Sequence, residues 1–367
     1  MAPILSMKVQ SVEAFPIRLR MGEKLRGGSF TYTQYQAVLV RVSVDGVEGW
    51  GEAMTRFDPD ATALMVRYLA KGMLGMEFEQ VRQPWDSSWR ELRIRGHTRG
   101  TDVEALSGIE IALFDAMGQI VRKPLGSLFS PQPAKKVPVF AGSLFSSRGP
   151  LEDQVDVAIS KGLAGAKVKI GFGTSKDRRT LETVRRKWPD GMLVGDANGA
   201  YDAAGAAKAG EAFADLGLAW FEEPVLSDDI EGYARLKGSA VKIGAGESWF
   251  VDDFRLPIEQ KLVGVIEPSV SRCGGLGVQI DVARKAARMG ISFSPMVGMN
   301  SVVSLAASIH AASVCPSVGV EYNPFPNPLQ TELGEGLGKP TKGVIEVPMR
   351  PGLGITVDLG FVKSHSR

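Results

Sequence analysis

The chain has 367 residues, 44% hydrophobic and 23% charged, with a formal net charge of +2, so two globular domains are expected. That balance excludes the basic stripe of a nucleic-acid partner; the Arg-rich stretch Arg82–Arg99 is interleaved with Trp85, Asp86, Trp89 and Glu91 and reads as a solvated or interface helix. No run approaches the roughly 18 apolar residues of a membrane span, Met1–Ile17 lacks a signal-peptide pattern, and Cys273 and Cys315 form neither a disulfide framework nor metal-type spacing, so a cytoplasmic protein with no membrane partner is expected.

In chain order, Met7–Pro16 and Tyr35–Val44 read as strands, and Asp45-Gly46 marks a hairpin into Val47–Gly51. Between the first two, Met21–Thr33 reads as a loop rich in Gly, Ser and aromatics. Pro59–Gly72, Phe78–Leu92 and Thr101–Val121 read as helices, the last with Val103, Leu106, Ile109, Ile111, Leu113 and Phe114 on a broad apolar face. A meander followed by helices predicts an α+β domain that ends near Pro131-Gln132-Pro133. From Val137 strand and helix alternate, with strands centred near Phe140, Val168, Val194, Trp220, Ile243, Val265, Phe293 and Val320, about 22–28 residues apart. Eight parallel strands at that step predict a closed barrel rather than an open sheet. The expected fold class is α/β: a modified TIM barrel of the (β/α)7β type with an N-terminal α+β capping domain. The predicted division is a cap over 1–134, a barrel over 135–343 and a segment 344–367 returning to the cap. Two short strands around Pro348–Gly352 have no place in the closed barrel, so they are expected to join the N-terminal domain.

Four motifs close successive apolar runs: Lys167-Val168-Lys169, Gly195-Asp196-Ala197-Asn198-Gly199, Phe221-Glu222-Glu223-Pro224 and Gly244-Ala245-Gly246-Glu247-Ser248. Barrel enzymes place their chemistry at the C-terminal strand ends, where Asp196, Glu222 and Glu247 fall. Residues i and i+2 of a strand share a face, which puts Lys167 beside Lys169. Three converging carboxylates repel unless neutralised, and all-oxygen ligation suits Mg2+. With two protonated lysines such a site carries about one net positive charge and favours an anionic substrate carboxylate. Removal of the adjacent carbon-bound proton then gives a stabilised enediolate. A lysine serves as the base, because a neighbouring ammonium and the cation lower its pKa. Gly274-Gly275-Leu276-Gly277 lacks the spacing and lysine of a phosphate loop and reads as tight strand-to-helix packing.

At these residues the chain resembles the enolase superfamily, in its mandelate racemase and muconate lactonizing branch. The resemblance extends to Ser107-Gly108-Ile109-Glu110-Ile111-Ala112-Leu113-Phe114-Asp115 and to the tail Pro351-Gly352-Leu353-Gly354-Ile355. It implies Lys169 as base with Lys167 as its electrostatic partner, and Asp196, Glu222 and Glu247 as ligands of Mg2+. It also implies Asn198 and Glu321 as substrate contacts, Met21–Thr33 and Ala53–Pro59 as cap loops over the substrate, and a homo-oligomer, commonly a dimer or octamer. Lys169-Ile170-Gly171-Phe172-Gly173 and Trp220–Pro224 are most similar to the acid-sugar dehydratases and to galactarolactone cycloisomerase.

The opposite wall departs from that pattern. Relatives carry an aspartate or lysine where Ser269 stands, and acid-sugar relatives carry a histidine where Met296 follows Ser294-Pro295. Ser269 and Met296 are therefore expected to face the substrate without exchanging a proton, which disfavours racemisation and leaves one-base chemistry. His97 is a conceivable cap donor on a loop, His310 lies mid-helix in a structural setting, His365 is in the tail, and Tyr322 either packs on the cap or reaches the barrel mouth. The expected function is Mg2+-dependent α-proton abstraction from a sugar-derived hydroxy-carboxylate followed by loss of water. The alternatives are an aldarolactone cycloisomerase and, from another class, a binding homologue that has lost catalysis.

Overall fold

The structure is a computed structural model that describes residues 6–366. Its N-terminal part contains β1 (Met7–Arg26), β2 (Thr31–Val44), β3 (Val47–Ala53), α1 (Pro59–Met73), β4 (Glu77–Phe78), α2 (Arg82–Ile94), α3 (Thr101–Ile120) and α4 (Gly126–Phe129). The strands form one antiparallel sheet in the order β3-β2-β1-β4. Gly49 and Gly51 on β3 let α3 lie directly on the sheet, since a Cβ at either would collide with the α3 backbone at Ala112 or Gly108. Two expectations are corrected here. Met21–Thr33 is mostly paired strand: β1 runs on to Arg26, β2 starts at Thr31, and Leu25 opposes Tyr32 after a register shift beyond Arg20. Helix α2 begins at Arg82, because Phe78 instead pairs with Met7.

The barrel follows as β5 (Lys136–Leu144), α5 (Leu151–Ser160), β6 (Gly165–Lys169), α6 (Thr174–Lys187), β7 (Met192–Asp196), α7 (Ala203–Phe213), β8 (Trp220–Glu222), α8 (Ile230–Arg235), β9 (Ile243–Ala245), α9 (Arg255–Glu259), β10 (Val265–Ile266), α10 (Leu276–Arg288), β11 (Ser292–Phe293), α11 (Val302–Val314) and β12 (Val320–Tyr322). Each strand pairs in parallel with the next, and β12 pairs with β5. Between β11 and β12 a parallel bridge from Phe293 to Ser317 and a 2.9 Å bond from Val318 N to Phe293 O close the ring. Phe140, Val194, Trp220 and Val265 fill its interior as a separate apolar layer beneath the strand ends.

The tail comprises α12 (Pro328–Thr331), β13 (Gly334–Glu335), β14 (Val344–Glu346), β15 (Thr356–Val357) and α13 (Leu359–His365). Its strands do not join the cap sheet as expected: β14 pairs antiparallel with Lys136–Pro138 and β15 pairs with β13. The first residues of β5 precede its pairing with β12 and β6, which leaves a free edge that β14 covers. Contact with the cap comes from Leu353, whose N–H donates to Asp115 Oδ1 at 2.7 Å, and from Ser366, which bridges to Ile17. Two cap carboxylates seat the cap on barrel helices. Glu52 accepts from Ser301 N at 3.1 Å and Ser304 N at 3.2 Å, and Glu110 accepts from Leu276 N at 2.6 Å and Gly277 N at 3.0 Å. Among the described residues no helix is long and apolar enough to cross a membrane.

Candidate active site

Strand register gathers the polar residues at one end of the barrel. Lys169 pairs with Asp196 and Asp196 with Glu222 on neighbouring strands, while Glu247 stands just beyond the end of β9. One carboxylate oxygen from each of Asp196, Glu222 and Glu247 lies within 4.8 Å of the others. Lys167 Nζ donates to Glu222 Oε1 at 2.7 Å, lies 3.5 Å from Asp196 Oδ2 and contacts Glu321. Lys169 Nζ contacts Asp196 and donates to Asn198 Oδ1 at 2.9 Å. Just past two of the carboxylates the backbone turns left-handed at non-glycine residues, with φ 47° at Asn198 and 37° at Glu223. The first turn folds Asn198 N back onto Asp196 Oδ1 at 3.0 Å.

All of these side chains are buried. Burial pushes the Glu222 carboxyl up to about 8, and the adjacent Asp196 charge adds to the effect. Burial also acts to raise Asp196, but Lys169 and Lys167 outweigh it and hold that carboxyl below its ordinary range. Lys169 is pushed down by burial and by Lys167, the latter as expected. Asp196 and Glu247, with a smaller effect from Tyr32, together outweigh both and hold the ammonium protonated. Four carboxylates (Asp196, Glu222, Glu247, Glu321) thus face three cations (Lys167, Lys169, Arg56), and Glu223 and Glu267 each bury a carboxyl oxygen that has no hydrogen-bond partner. Three converging hard oxygen donors in such surroundings fit a divalent cation.

A cavity opens over the lysines, and Tyr32, Arg56, Met296 and Glu321 are among its walls. A second space also bordered by Tyr32 and Arg56 reaches Asn198, Glu223 and Arg272. Glu321 spans the floor, accepting from Val297 N at 3.1 Å and Gly298 N at 2.6 Å. Opposite, Ser269 pairs with Met296, and Met296 lines the cavity. Ser269 is fully buried, with its Oγ 3.4 Å from Ser271 Oγ. His97 is 54% exposed and paired with Asp102 at 2.9 Å, away from either space.

Sequence reasoning passed over Tyr32 and Arg56 as individuals, although both fall in the stretches read as cap loops. Arg56 Nη1 donates to Tyr32 Oη at 2.9 Å, and Nη2 lies 3.4 Å from Glu247 Oε1. The hairpin between β1 and β2 carries Tyr32 to this position. Its tip packs so closely on the barrel that a Cβ at Gly28 would lie 2.9 Å from Ile170 O, and Ser29 Oγ donates to Asn198 O at 2.9 Å.

Two family models match the chain: the mandelate racemase / muconate lactonizing enzyme N-terminal domain over residues 21–129 and the enolase C-terminal domain-like model over residues 151–360. D-Galactarolactone cycloisomerase of Agrobacterium fabrum is 30% identical, covering 96% of this chain and 97% of its own. Arabinonate dehydratase of Saccharolobus solfataricus is 27% identical over 88% of each. Among solved structures, a racemase from Streptomyces coelicolor A3(2) with bound magnesium superimposes with a TM-score of 0.89 at 26% identity, covering 98% of this chain and 100% of that one.

Proposed function

The chain belongs to the mandelate racemase/muconate lactonizing enzyme family of the enolase superfamily and is a metal-dependent lyase or isomerase, and on that premise we propose that it takes the α-proton from a sugar-derived hydroxy acid and expels a β-hydroxyl as water. The observation that carries this reading is the one-sided placement of its basic groups: Lys167 and Lys169 share one wall with the carboxylates, and Met296 stands across the cavity. Asp196, Glu222 and Glu247 would hold the cation, which we take to be Mg2+. When bound it supplies the positive charge that lowers the energy of a carboxylate whose α-carbon is losing its proton. With a cation on Asp196 and Glu247 offsetting the charges that keep it protonated, Lys169 becomes the neutral amine and accepts that proton. Asn198 orients it through the 2.9 Å hydrogen bond. Lys167, tied to Glu222 and Glu321, stays charged and attracts the substrate carboxylate.

A wall bearing Met296 offers no second proton carrier, so inversion at the α-carbon is not expected. Cycloisomerisation of a lactone is the second reading, favoured by 30% identity to a galactarolactone cycloisomerase along almost the whole chain. It would use the same lysine with a different leaving oxygen. Proton NMR in D2O, with Mg2+ and with arabinonate, D-galactonate and D-galactarolactone as probes, tests the proposal. Wild type should erase an α-proton signal, and Lys169→Ala should slow that loss by about 10²–10⁴-fold. Equal loss by both proteins would overturn the assignment of Lys169, and the product spectrum separates dehydration from cycloisomerisation.

A further inference from the structure

Elimination of a hydroxyl requires a proton for the departing oxygen, and the wall opposite Lys169 supplies none. Four hydroxyl-bearing side chains line the main cavity: Tyr32, Tyr35, Thr55 and Ser143. Tyr35 is committed, since its Oη donates to Pro326 O at 2.7 Å, and Ser143 donates to Gly142 O. Thr55 is buried without a partner, and an aliphatic alcohol is too weak an acid to give up a proton without an adjacent base. Tyr32 differs from all three. Its oxygen accepts from Arg56 at 2.9 Å, while its own hydrogen has no protein acceptor among the described residues and is free to be given to a ligand. A guanidinium cannot itself deprotonate, and held against the phenol it stabilises the phenolate that proton donation leaves behind.

The pair is also fixed in place. The Tyr32 ring packs against Phe30 with centroids 4.6 Å apart and against Phe145 at 6.3 Å. Phe30 in turn lies 5.6 Å from Lys169 Nζ, and Arg56 is anchored on Glu247. The acid is therefore held within the same small volume as the base, on the cap side of the cavity.

We propose that Tyr32, oriented by Arg56, is the general acid of this enzyme and takes the place of the histidine that Met296 replaces; the inference rests on the dehydration proposed above. In the first step Lys169 takes the α-proton and the C–H electron pair passes onto the substrate carboxylate as an enediolate; in the second that pair forms the Cα–Cβ double bond as the Cβ–O bond breaks. The departing oxygen leaves with the Tyr32 proton as water. The phenolate remains on Arg56, the enol product ketonises to a 2-oxo acid, and proton exchange with solvent restores Lys169 and Tyr32.

The test separates deprotonation from elimination in the Mg2+-loaded enzyme in D2O, with arabinonate, D-galactonate and L-rhamnonate as probes. Tyr32→Phe should still exchange the α-proton for deuterium at about the wild-type turnover rate while product formation falls by about 10²–10⁴-fold. Arg56→Gln should retain exchange and lose product at least about tenfold, and it decides the matter if Tyr32→Phe does not fold. A merely structural role would move exchange and product together, and that result in a folded Tyr32→Phe would overturn the inference, as would unchanged product formation. Loss of no α-proton from any probe by wild type would instead overturn the dehydration itself, and the inference with it.

Discussion

Single residues in this protein take their chemistry from where the fold sets them. Lys167 and Lys169 are neighbours on one strand face, yet one is clamped by Glu222 and Glu321 while the other meets Asp196 and Asn198. His310, read from the sequence as structural, uses both ring nitrogens: Nδ1 accepts from Gly126 N at 3.2 Å, and Nε2 faces Leu353 O at 3.2 Å, so the hydrogen belongs on Nε2. Burial pushes its pKa down to about 4, against the opposing effect of the Leu353 bond. A folded-state pKa below the unfolded one means that the neutral ring contributes stability above pH ~6.5, and that this is lost as pH falls towards 4. Wild type should therefore lose up to about 3 kcal/mol more than His310→Gln between pH 7 and pH 4, read from urea midpoints at each pH.

Elements are held by close backbone approach and by carboxylates reaching across the cap–barrel boundary. Gly51→Ala would drive a methyl group into Gly108 O of α3 and should cost about 3 kcal/mol in denaturant unfolding. Gly72→Ala, in α1 with open space around it, should instead stabilise by up to about 1 kcal/mol. Equal effects from the two would show that β3 and α3 are not in this contact. Glu110 explains the Gly274–Gly277 run: its carboxylate occupies the N-terminus of α10, where a Cβ on Gly275 would intrude. The sequence reading of that run as packing rather than a phosphate loop agrees with this placement.

For the molecule as a whole, a divalent cation held by the buried Asp196, Glu222 and Glu247 would add to stability. A ligand that binds only the folded state adds RT ln(1 + [L]/Kd), about 2.7 kcal/mol at a hundredfold excess over Kd. Mg2+ should raise the unfolding midpoint and chelator should lower it, while Glu222→Gln should abolish the response. An unchanged wild-type midpoint would remove Asp196, Glu222 and Glu247 as the binding site.

The alternation of strand and helix, the barrel and the three-carboxylate spacing were legible in the sequence because they are local and periodic. Short apolar runs end at Gly or Pro, and each repeat returns the chain to the same end of the barrel, so strand register carries Asp196, Glu222 and Glu247 together. The length of the β1–β2 arm was not legible, since polar, Gly-rich residues pair as strands only where a partner and a surface lie beneath them. The partner of β14 was decided by an edge of β5 that is free only once the barrel has formed. The surroundings of Ser269 likewise depend on Ser271, whose hydroxyl accepts from Asn300 Nδ2 at 2.8 Å. Sequence alone thus determined the fold class and the residues gathered at the strand ends. Tertiary structure decided what faces them, because the arm bearing Tyr32 and the segment bearing Arg56 meet Lys169 and Glu247 only through contacts between residues more than a hundred positions apart in the chain.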